Sequence, residues 1–353
     1  KQTAADFGWT VPDFVGERPI TPLTHPDQRL DHAHHLAAEL VAERFRESAV
    51  LDEATARHCA AQALIAFGVH AHEDIDIIIQ TMQTRPLLLD GEETRLICVE
   101  HYNRRGDRSL KFTTGLHVTR EQAVIELTRK AANDRDGAIT EPEIDAAILV
   151  TGLDFSSSHG QAQRRAMTAL ATCGRLSVLV GVAGSGKTTL LAPLVQAWKR
   201  AGRTVWGTAI AWRQATDLAD AGIPENQIKA CHPLLHGIKT GKISLDANSL
   251  VILDELSLLS TTQLLELVQA QADSGCRLVL SGDPQQGQAV EAGPVVDLLR
   301  RALGPDAIPE LVSSVRQTSE RERATALMLR DGQSREARAR KREDGTLILA
   351  SGD

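Results

Sequence analysis

The pattern of apolar and polar residues changes character about halfway along the chain. Up to about residue 150, apolar positions mostly recur at the three-to-four-residue spacing that buries one face of a helix. From Leu176 onward, short strand-like apolar runs alternate with amphipathic helical stretches. The first pattern predicts a mainly helical region, and the second predicts α/β units that share a parallel sheet.

The N-terminal half is predicted to contain helices and one hairpin. An extended lead-in with several prolines occupies residues 1–28. Helical spacing follows over Asp31–Glu47, Asp52–Ala66, His72–Met82 and Thr119–Ala132. Asp90-Gly91 lies between two apolar runs and favours a tight β-turn. Three helices followed by a hairpin resemble a winged-helix module, although a net charge of −9 over residues 1–150 (16 Lys and Arg, 25 Asp and Glu) leaves a purely structural role open.

The second half is predicted to form the parallel sheet. The strand-like runs are Leu176–Val180, Thr204–Ala209, Ser249–Leu253 and Arg277–Leu280. The helical stretches between them are Thr188–Arg200, Gln214–Ala221 and Thr261–Ala272. Helices between parallel strands cover both faces of such a sheet. The basic stretch Arg321–Arg342 is expected to be a charged helix or a mobile tail.

Composition excludes several classes of protein. No run of apolar residues is long enough to span a membrane, and residues 1–28 lack the pattern of a secretory signal. Five scattered cysteines without a C-x-x-C pair argue against a disulfide framework and favour a reducing, cytoplasmic location. Aromatic residues make up only 3% of the chain, and residues 151–353 carry a net charge of +2, so few nucleic-acid contacts are expected.

The histidines near the N-terminus do not form a convincing metal site. On a helix His32 and His35 share one face and His34 points away, and no carboxylate or cysteine completes a set of ligands. We therefore expect a solvated helix face at these residues. The chain has a single tyrosine, Tyr102, and therefore no cluster of catalytic tyrosines, so DNA-nicking chemistry of the relaxase type is not expected.

The strongest chemical signal is a complete phosphate-loop motif at residues 181–188. It follows a strand-like run and precedes a helical stretch, as the motif requires. Its glycines let backbone N–H groups turn towards phosphates at the start of a helix. Lys187 is expected to neutralise the phosphates, and the Thr188 hydroxyl to bind Mg²⁺. The predicted nucleotide-binding residues of this loop are Gly181, Gly184, Ser185, Gly186, Lys187, Thr188 and Thr189.

Two further strand ends carry polar residues. The run from Ser249 ends in Asp254-Glu255, where Asp254 is expected to contribute to the Mg²⁺ site. Glu255 favours hydrolysis, because a carboxylate that activates water is needed when water is the nucleophile. The next strand ends in Gly282-Asp-Pro-Gln-Gln286, and the Gln286 amide is suited to sense a γ-phosphate.

These motifs together resemble superfamily 1 DNA helicases. Gly282-Asp-Pro-Gln-Gln286 resembles motif III, and Thr208–Leu218 resembles motif Ia, which touches the DNA backbone. Gln163 resembles the Q-motif residue that reads adenine, and Arg316 in Val315-Arg316-Gln317 resembles the arginine that stabilises the γ-phosphate. The pattern is similar to the RecD-like branch, and most of all to the helicase segment of MobF-type conjugative relaxases, the TraA, TraI and TrwC group.

The resemblance implies a RecA-like P-loop NTPase domain with a parallel sheet over residues 151–330, after a mainly helical accessory domain with a hairpin over residues 1–150. Residues 331–353 would lead towards a second lobe that this chain lacks. The implied activity is that of an ATP hydrolase, the motor lobe of a helicase, with Mg²⁺ as cofactor. Single-stranded plasmid DNA and other conjugation proteins are the implied partners. Lys187, Glu255, Gln286 and Arg316 would be catalytic, with weak turnover and no unwinding by this chain alone.

Two other functions remain open. A nucleotide-dependent phosphotransferase would use the same loop, although Glu255 argues against it. A degenerate lobe would bind DNA or protein without turnover, but Lys187 is retained.

The chain departs from the family pattern at three places. Leu256 stands where the family usually has Ala, and Gly287 stands where it has Leu. Cys231-His-Pro233 stands where the family has a threonine-rich DNA contact, so that contact is in question.

Overall fold

A computed structural model describes residues 26–102, 106–182, 184–283, 294–311, 320–330 and 332–347. The described residues form two compact units. The first comprises residues 26–46 and 50–116, and the second comprises residues 47–49 and those from 117 onward. The boundary predicted near residue 150 therefore lies inside the second unit. Ile139, Ile144 and Ala147 are buried in a core of that unit, which explains why the preceding segment belongs to it.

The first unit contains three helices and two small antiparallel sheets. Its helices are α1 (Pro26–Glu47), α2 (Glu53–Phe67) and α3 (Asp74–Thr84). Its strands are β1 (Leu51–Asp52), β2 (Leu87–Leu89), β3 (Glu92–Thr94), β4 (Leu96–Tyr102) and β5 (Arg108–Thr114). Strands β2 and β3 form the predicted hairpin, in which Asp90 and Gly91 both have positive φ (53° and 81°). The sheet β1-β5-β4 was not predicted from the sequence.

The prediction of a solvated histidine face is wrong for His34. This side chain is only 3% exposed, and neither ring nitrogen has a hydrogen-bond partner, whereas His32 and His35 are exposed. The reason is that α1 packs its Ala33 and Ala37 side into the core of the unit. His34 lies beside these residues on the helix and is therefore buried too. Among the described residues no group of three or more His, Cys, Asp or Glu is arranged to hold a metal ion.

The second unit is built on a six-stranded parallel sheet with the order β11-β6-β10-β9-β7-β8. Its strands are β6 (Leu176–Gly181), β7 (Thr204–Ala209), β8 (Ile228–Ala230), β9 (Ser249–Leu253), β10 (Arg277–Gly282) and β11 (Glu310–Leu311). The four predicted strands are present. Two further strands, β8 and β11, are too short to be predicted from the pattern of apolar residues, since they have only three and two residues.

The remaining described helices are α4 (Gly115–Asn133), α5 (Glu141–Thr151), α6 (Ser158–Thr172), α7 (Lys187–Arg200), α8 (Trp212–Thr216), α9 (Cys231–Lys239), α10 (Thr261–Ser274), α11 (Val295–Leu303), α12 (Glu320–Arg330) and α13 (Ser334–Glu343). Short 3-10 turns cover Asp217–Ala221, Glu225–Gln227, Leu256–Leu258 and Pro305–Ala307. No described helix is both long and apolar enough to cross a bilayer.

Both faces of the sheet are buried. Residues of the central strands alternate between two apolar cores: Leu179, Ile252 and Val279 belong to the core formed with α5, α6 and α7, while Val251 and Leu280 belong to the core formed with α4, α9, α10 and α11. Burial on both sides explains why these strands are almost continuously apolar. The predicted fold class, a RecA-like P-loop α/β domain after a helical region with a hairpin, is confirmed.

Candidate nucleotide site

The phosphate-loop motif forms the turn between β6 and α7. Gly184 and Gly186 have φ angles of 74° and 75°, which L side chains rarely adopt, so both positions favour glycine. Helix α7 begins at Lys187, so the loop lies at a helix N-terminus, where free backbone N–H groups attract anions. The described residues of the motif therefore form a turn that ends at a helix N-terminus, while Ala183 lies outside the described residues.

The loop is closely packed around the lysine. Lys187 is 9% exposed, and its Nζ donates a 3.1 Å hydrogen bond to the carbonyl oxygen of Gly181. A Cβ atom at Gly181 would lie only 2.8 Å from the Ser185 hydroxyl, so a side chain there would force Ser185 to shift. Thr188 is half-buried and Thr189 is exposed, so both remain open to a ligand approaching from solvent.

The Ser185 side chain is completely buried within the loop. Its backbone N–H donates to the carbonyl of Val182 at 3.0 Å, but its Oγ has no hydrogen-bond partner. Burying a hydroxyl without a partner costs free energy. A polar ligand in the loop would supply the missing partner.

Gln163 on α6 reaches the same loop. Its Nε2 donates to the carbonyl oxygens of Ser185 at 3.0 Å and Gly186 at 3.2 Å, and the residue is 6% exposed. His159, one turn earlier on α6, lies with Nε2 at 3.1 Å from the Ser185 carbonyl. The structure thus places Gln163 beside the phosphate loop, and it adds His159, which the sequence analysis did not single out.

The carboxylates of Asp254 and Glu255 follow the end of β9, next to the end of β10. The register pairs Leu253 with Leu280, so Asp254 comes level with Ser281 on the neighbouring strand. The Ser281 hydroxyl donates a 2.5 Å hydrogen bond to Asp254 Oδ1, and the Glu255 N–H donates to the same oxygen at 3.0 Å. The role of Ser281 could not be predicted, because a serine in a strand-like run does not show which residue it faces. That becomes known only from the register of the two strands.

Glu255 lies in a strained and partly buried position. Its φ is +57°, an uncommon conformation for a residue other than glycine, and such strain is concentrated at functional sites. One of its carboxylate oxygens, Oε2, is buried without a hydrogen-bond partner. Burial raises the pKa of Glu255, an increase that the positive charge of Lys187 opposes. The nearby charges of Asp254 and Asp283 raise that pKa further.

Lys187 and Glu255 both follow the carboxyl ends of strands in one parallel sheet, and the charge of Lys187 lowers the pKa of Glu255. Gln286 and Arg316, which the sequence also assigned to this site, lie outside the described residues.

Comparison with known proteins agrees with this geometry. Residues 158–351, more than half of the chain, match the model of a family described as an AAA domain. The chain belongs to this family. A P-loop AAA domain implies nucleotide binding, which typically involves Mg²⁺, and the matched range of the AAA domain includes Gln163, the phosphate loop and Asp254-Glu255.

The sequence is similar to those of three conjugal transfer proteins over 55% to 84% of this chain. Conjugal transfer protein TraA of Rhizobium radiobacter is 32% identical over 271 residues, 75% of this chain and 24% of that protein. Conjugal transfer protein TraA of Agrobacterium fabrum is 26% identical over 301 residues, 84% of this chain and 25% of that protein. A probable conjugal transfer protein TraA of Sinorhizobium fredii is 28% identical over 201 residues, 55% of this chain and 18% of that protein. The chain spans about a quarter of these relatives or less.

Proposed function

We propose that this protein binds and hydrolyses ATP as a motor lobe of a DNA helicase or translocase. The observation that carries the proposal is that the phosphate loop with Lys187, after β6, and the carboxylates of Asp254 and Glu255, after β9, lie at the carboxyl ends of strands of one parallel sheet. A phosphate held at the start of α7 would lie between a cation that neutralises it and a carboxylate that can accept a proton from water.

The residues present fit a Mg²⁺ ion. Thr188 offers a half-buried hydroxyl at the start of α7, and Asp254 offers a carboxylate that Ser281 holds in one orientation. Hydroxyl, carboxylate and phosphate oxygens are the ligands that Mg²⁺ prefers. When bound, the ion would neutralise charge on the phosphates. Because Asp254 Oδ1 already accepts a hydrogen bond from Ser281, we assign the other oxygen, Asp254 Oδ2, to the Mg²⁺ ion or to a water bound to the ion.

Glu255 is the proposed general base. Its buried Oε2 lacks a protein partner, so it can accept a hydrogen bond from an attacking water. The raised pKa strengthens the carboxylate as a base, while Lys187 favours its charged form. Gln286 as sensor of the γ-phosphate and Arg316 as stabiliser of the transition state complete the proposed machinery on the strength of the resemblance.

Single-stranded DNA is the proposed partner, in conjugal transfer. The similarity to TraA proteins supports the link to conjugation, and the resemblance of the motifs supports a place in the RecD-like branch and among MobF-type relaxases. Trp212, at the start of α8 after the end of β7, is 55% exposed, so its ring is available to stack on a base. Five free cysteines, consistent with a reducing compartment, support a cytoplasmic location.

The test is release of phosphate from Mg-ATP, with and without single-stranded DNA, alongside a direct binding measurement. Hydrolysis that DNA stimulates would support the motor. Nucleotide binding without any phosphate release, unaffected by DNA, would favour the degenerate lobe. Transfer of the phosphate to a small acceptor would favour the phosphotransferase.

A further inference from the structure

The Gln163 amide donates to the phosphate loop in a way that conflicts with reading adenine. A glutamine that reads adenine in the usual bidentate manner accepts from the exocyclic amine and donates an N–H to a ring nitrogen. Here two carbonyl oxygens, those of Ser185 and Gly186, lie 3.0 Å and 3.2 Å from Nε2. Carbonyl oxygens only accept, so the amide nitrogen must face them, and its two N–H donors are both used.

The contact is built into the fold around the loop. Gln163 is 6% exposed, and Ser157 caps the N-terminus of α6 by accepting from the Gly160 N–H at 3.0 Å. His159 approaches the Ser185 carbonyl from the same helix, at 3.1 Å. Two side chains of α6, those of Gln163 and His159, therefore contact the carbonyl oxygen of Ser185.

Glycine at position 186 makes room for this amide. A Cβ atom added to Gly186 would lie 2.4 Å from Gln163 Nε2, so the amide occupies the space that any other residue would fill. The amide donates to the carbonyls of two consecutive peptide groups, Ser185–Gly186 and Gly186–Lys187. The Gly186 carbonyl also accepts from the Leu190 N–H at 3.0 Å, so the Gln163 amide contacts the junction at which the loop passes into α7, the helix end where a phosphate binds.

We propose that Gln163 is a positioning residue that holds the phosphate loop in its binding conformation, and that it does not select adenine. The nucleotide is then bound through its phosphates, whatever its base. This inference rests on the proposed function, since it concerns the same nucleotide site.

The experiment measures the dissociation constants of ADP, GDP and tripolyphosphate, each with Mg²⁺, for the wild-type chain and for Gln163→Ala. Removing two hydrogen bonds of ordinary strength should weaken binding of all three ligands by about tenfold, and equally. Gln161→Ala is the matched control, because Gln161 is exposed on the same helix and donates only to the Ser156 carbonyl. It should leave all three constants unchanged.

Two further variants keep the test decisive if Gln163→Ala unfolds. Gln163→Glu is nearly isosteric but cannot donate from the end that faces the carbonyls, so it should weaken all three ligands as well. His159→Ala removes one contact with Ser185 and should give a smaller loss that is again the same for every ligand.

The outcomes separate the inference from the proposed function. A loss for ADP alone, with GDP and tripolyphosphate unaffected, would overturn the inference and restore adenine reading while leaving the nucleotide site intact. Unchanged binding of all three ligands to folded Gln163→Ala would also overturn it. If the wild-type chain bound none of them, the proposed function itself would fail.

Discussion

The hydroxyl of Ser281 donates a 2.5 Å hydrogen bond to Oδ1 of Asp254, joining the ends of two adjacent parallel strands. Charge-assisted hydrogen bonds of this kind fix the orientation of a carboxylate. Asp254 Oδ1 also accepts from the Glu255 N–H, so one oxygen is fully engaged and the other is left for a ligand. Groups that orient a metal ligand often matter almost as much as the ligand itself.

Ser281→Ala should therefore raise the Mg²⁺ concentration needed for half-maximal ATP hydrolysis by about tenfold or more. Affinity for nucleotide measured without Mg²⁺ should hardly change, because the phosphate loop is not touched. Ser177→Ala is a matched control, since Ser177 is buried near the opposite end of the neighbouring strand β6. An unchanged Mg²⁺ requirement in Ser281→Ala would show that Asp254 is oriented by other means.

Substitutions at Lys187 and Glu255 should have different effects, one on nucleotide binding and the other on the rate of hydrolysis. Glu255→Gln should keep affinity for Mg-ATP and lower the rate of hydrolysis by about 10²–10⁴, the usual contribution of a positioned base. Lys187→Ala should weaken binding itself, because the phosphates lose their cation. Single-turnover hydrolysis and titration with a fluorescent ATP analogue measure the two quantities. The reverse pattern would mean that the two roles are wrongly assigned.

Gly186→Ala should weaken nucleotide binding by about tenfold, as Gln163→Ala does, because it displaces the Gln163 amide. The substitution forces a Cβ atom into a position 2.4 Å from the Gln163 amide, at a φ of +75°. Gly202→Ala is the control, because Gly202 follows the other end of α7 with a φ of +77° and nothing within 4 Å of an added Cβ. Both variants carry the strain of positive φ, about 1 kcal/mol, so thermal unfolding should fall in both and ligand binding only in Gly186→Ala.

The Asp74 carboxylate should stabilise the first unit in a pH-dependent manner. It accepts from Arg29 Nη1 at 2.8 Å and from the His70 N–H at 2.9 Å, and the hydrogen bond from Arg29 is the main cause that lowers the pKa of Asp74 to about 2. A lowered pKa stabilises the folded state above the ordinary value of 3.8, and that stability is lost as the pH falls towards about 2.

Asp74→Asn should therefore lower the free energy of unfolding by about 2 kcal/mol at pH 7, and the difference from wild type should shrink between pH 4 and pH 2. Urea unfolding followed by circular dichroism at each pH measures the free energy of unfolding of both proteins. Asp76→Asn is the control, because the Asp76 side chain is 50% exposed and its ion pair with Arg57 is open to solvent. An equal loss in both variants at pH 7 would contradict the role given to burial.

Trp212 should contribute to binding of single-stranded DNA. Trp212→Ala should weaken binding by about tenfold, within the range for one stacked base. Leu149→Ala is the control, since Leu149 is 82% exposed on α5 and offers no ring. A fluorescence-anisotropy titration at several salt concentrations measures both affinity and the salt slope, about −0.7 for each neutralised phosphate. A slope of zero would remove DNA as the partner.

Features that depend on residues adjacent in the chain could be predicted before the fold was known. The phosphate loop at residues 181–188 could be predicted because its glycines, lysine and threonine are contiguous, and because a strand precedes it and a helix follows. Asp254-Glu255 stood out because both residues follow an apolar run. The turn at Asp90-Gly91 was predicted because its dihedral angles are a local property of that dipeptide.

Contacts between polar atoms of separate helices and strands could not be predicted in this way, because they depend on how the elements pack. Periodicity indicates which face of α6 or β10 is buried, but it does not say that Gln163 contacts the loop 22 residues later, nor that Ser281 faces Asp254. The burial of His34 and the division of the chain after Leu116 depend in the same way on long-range packing. Such contacts are set by strand register and helix placement, which involve residues far apart in the chain.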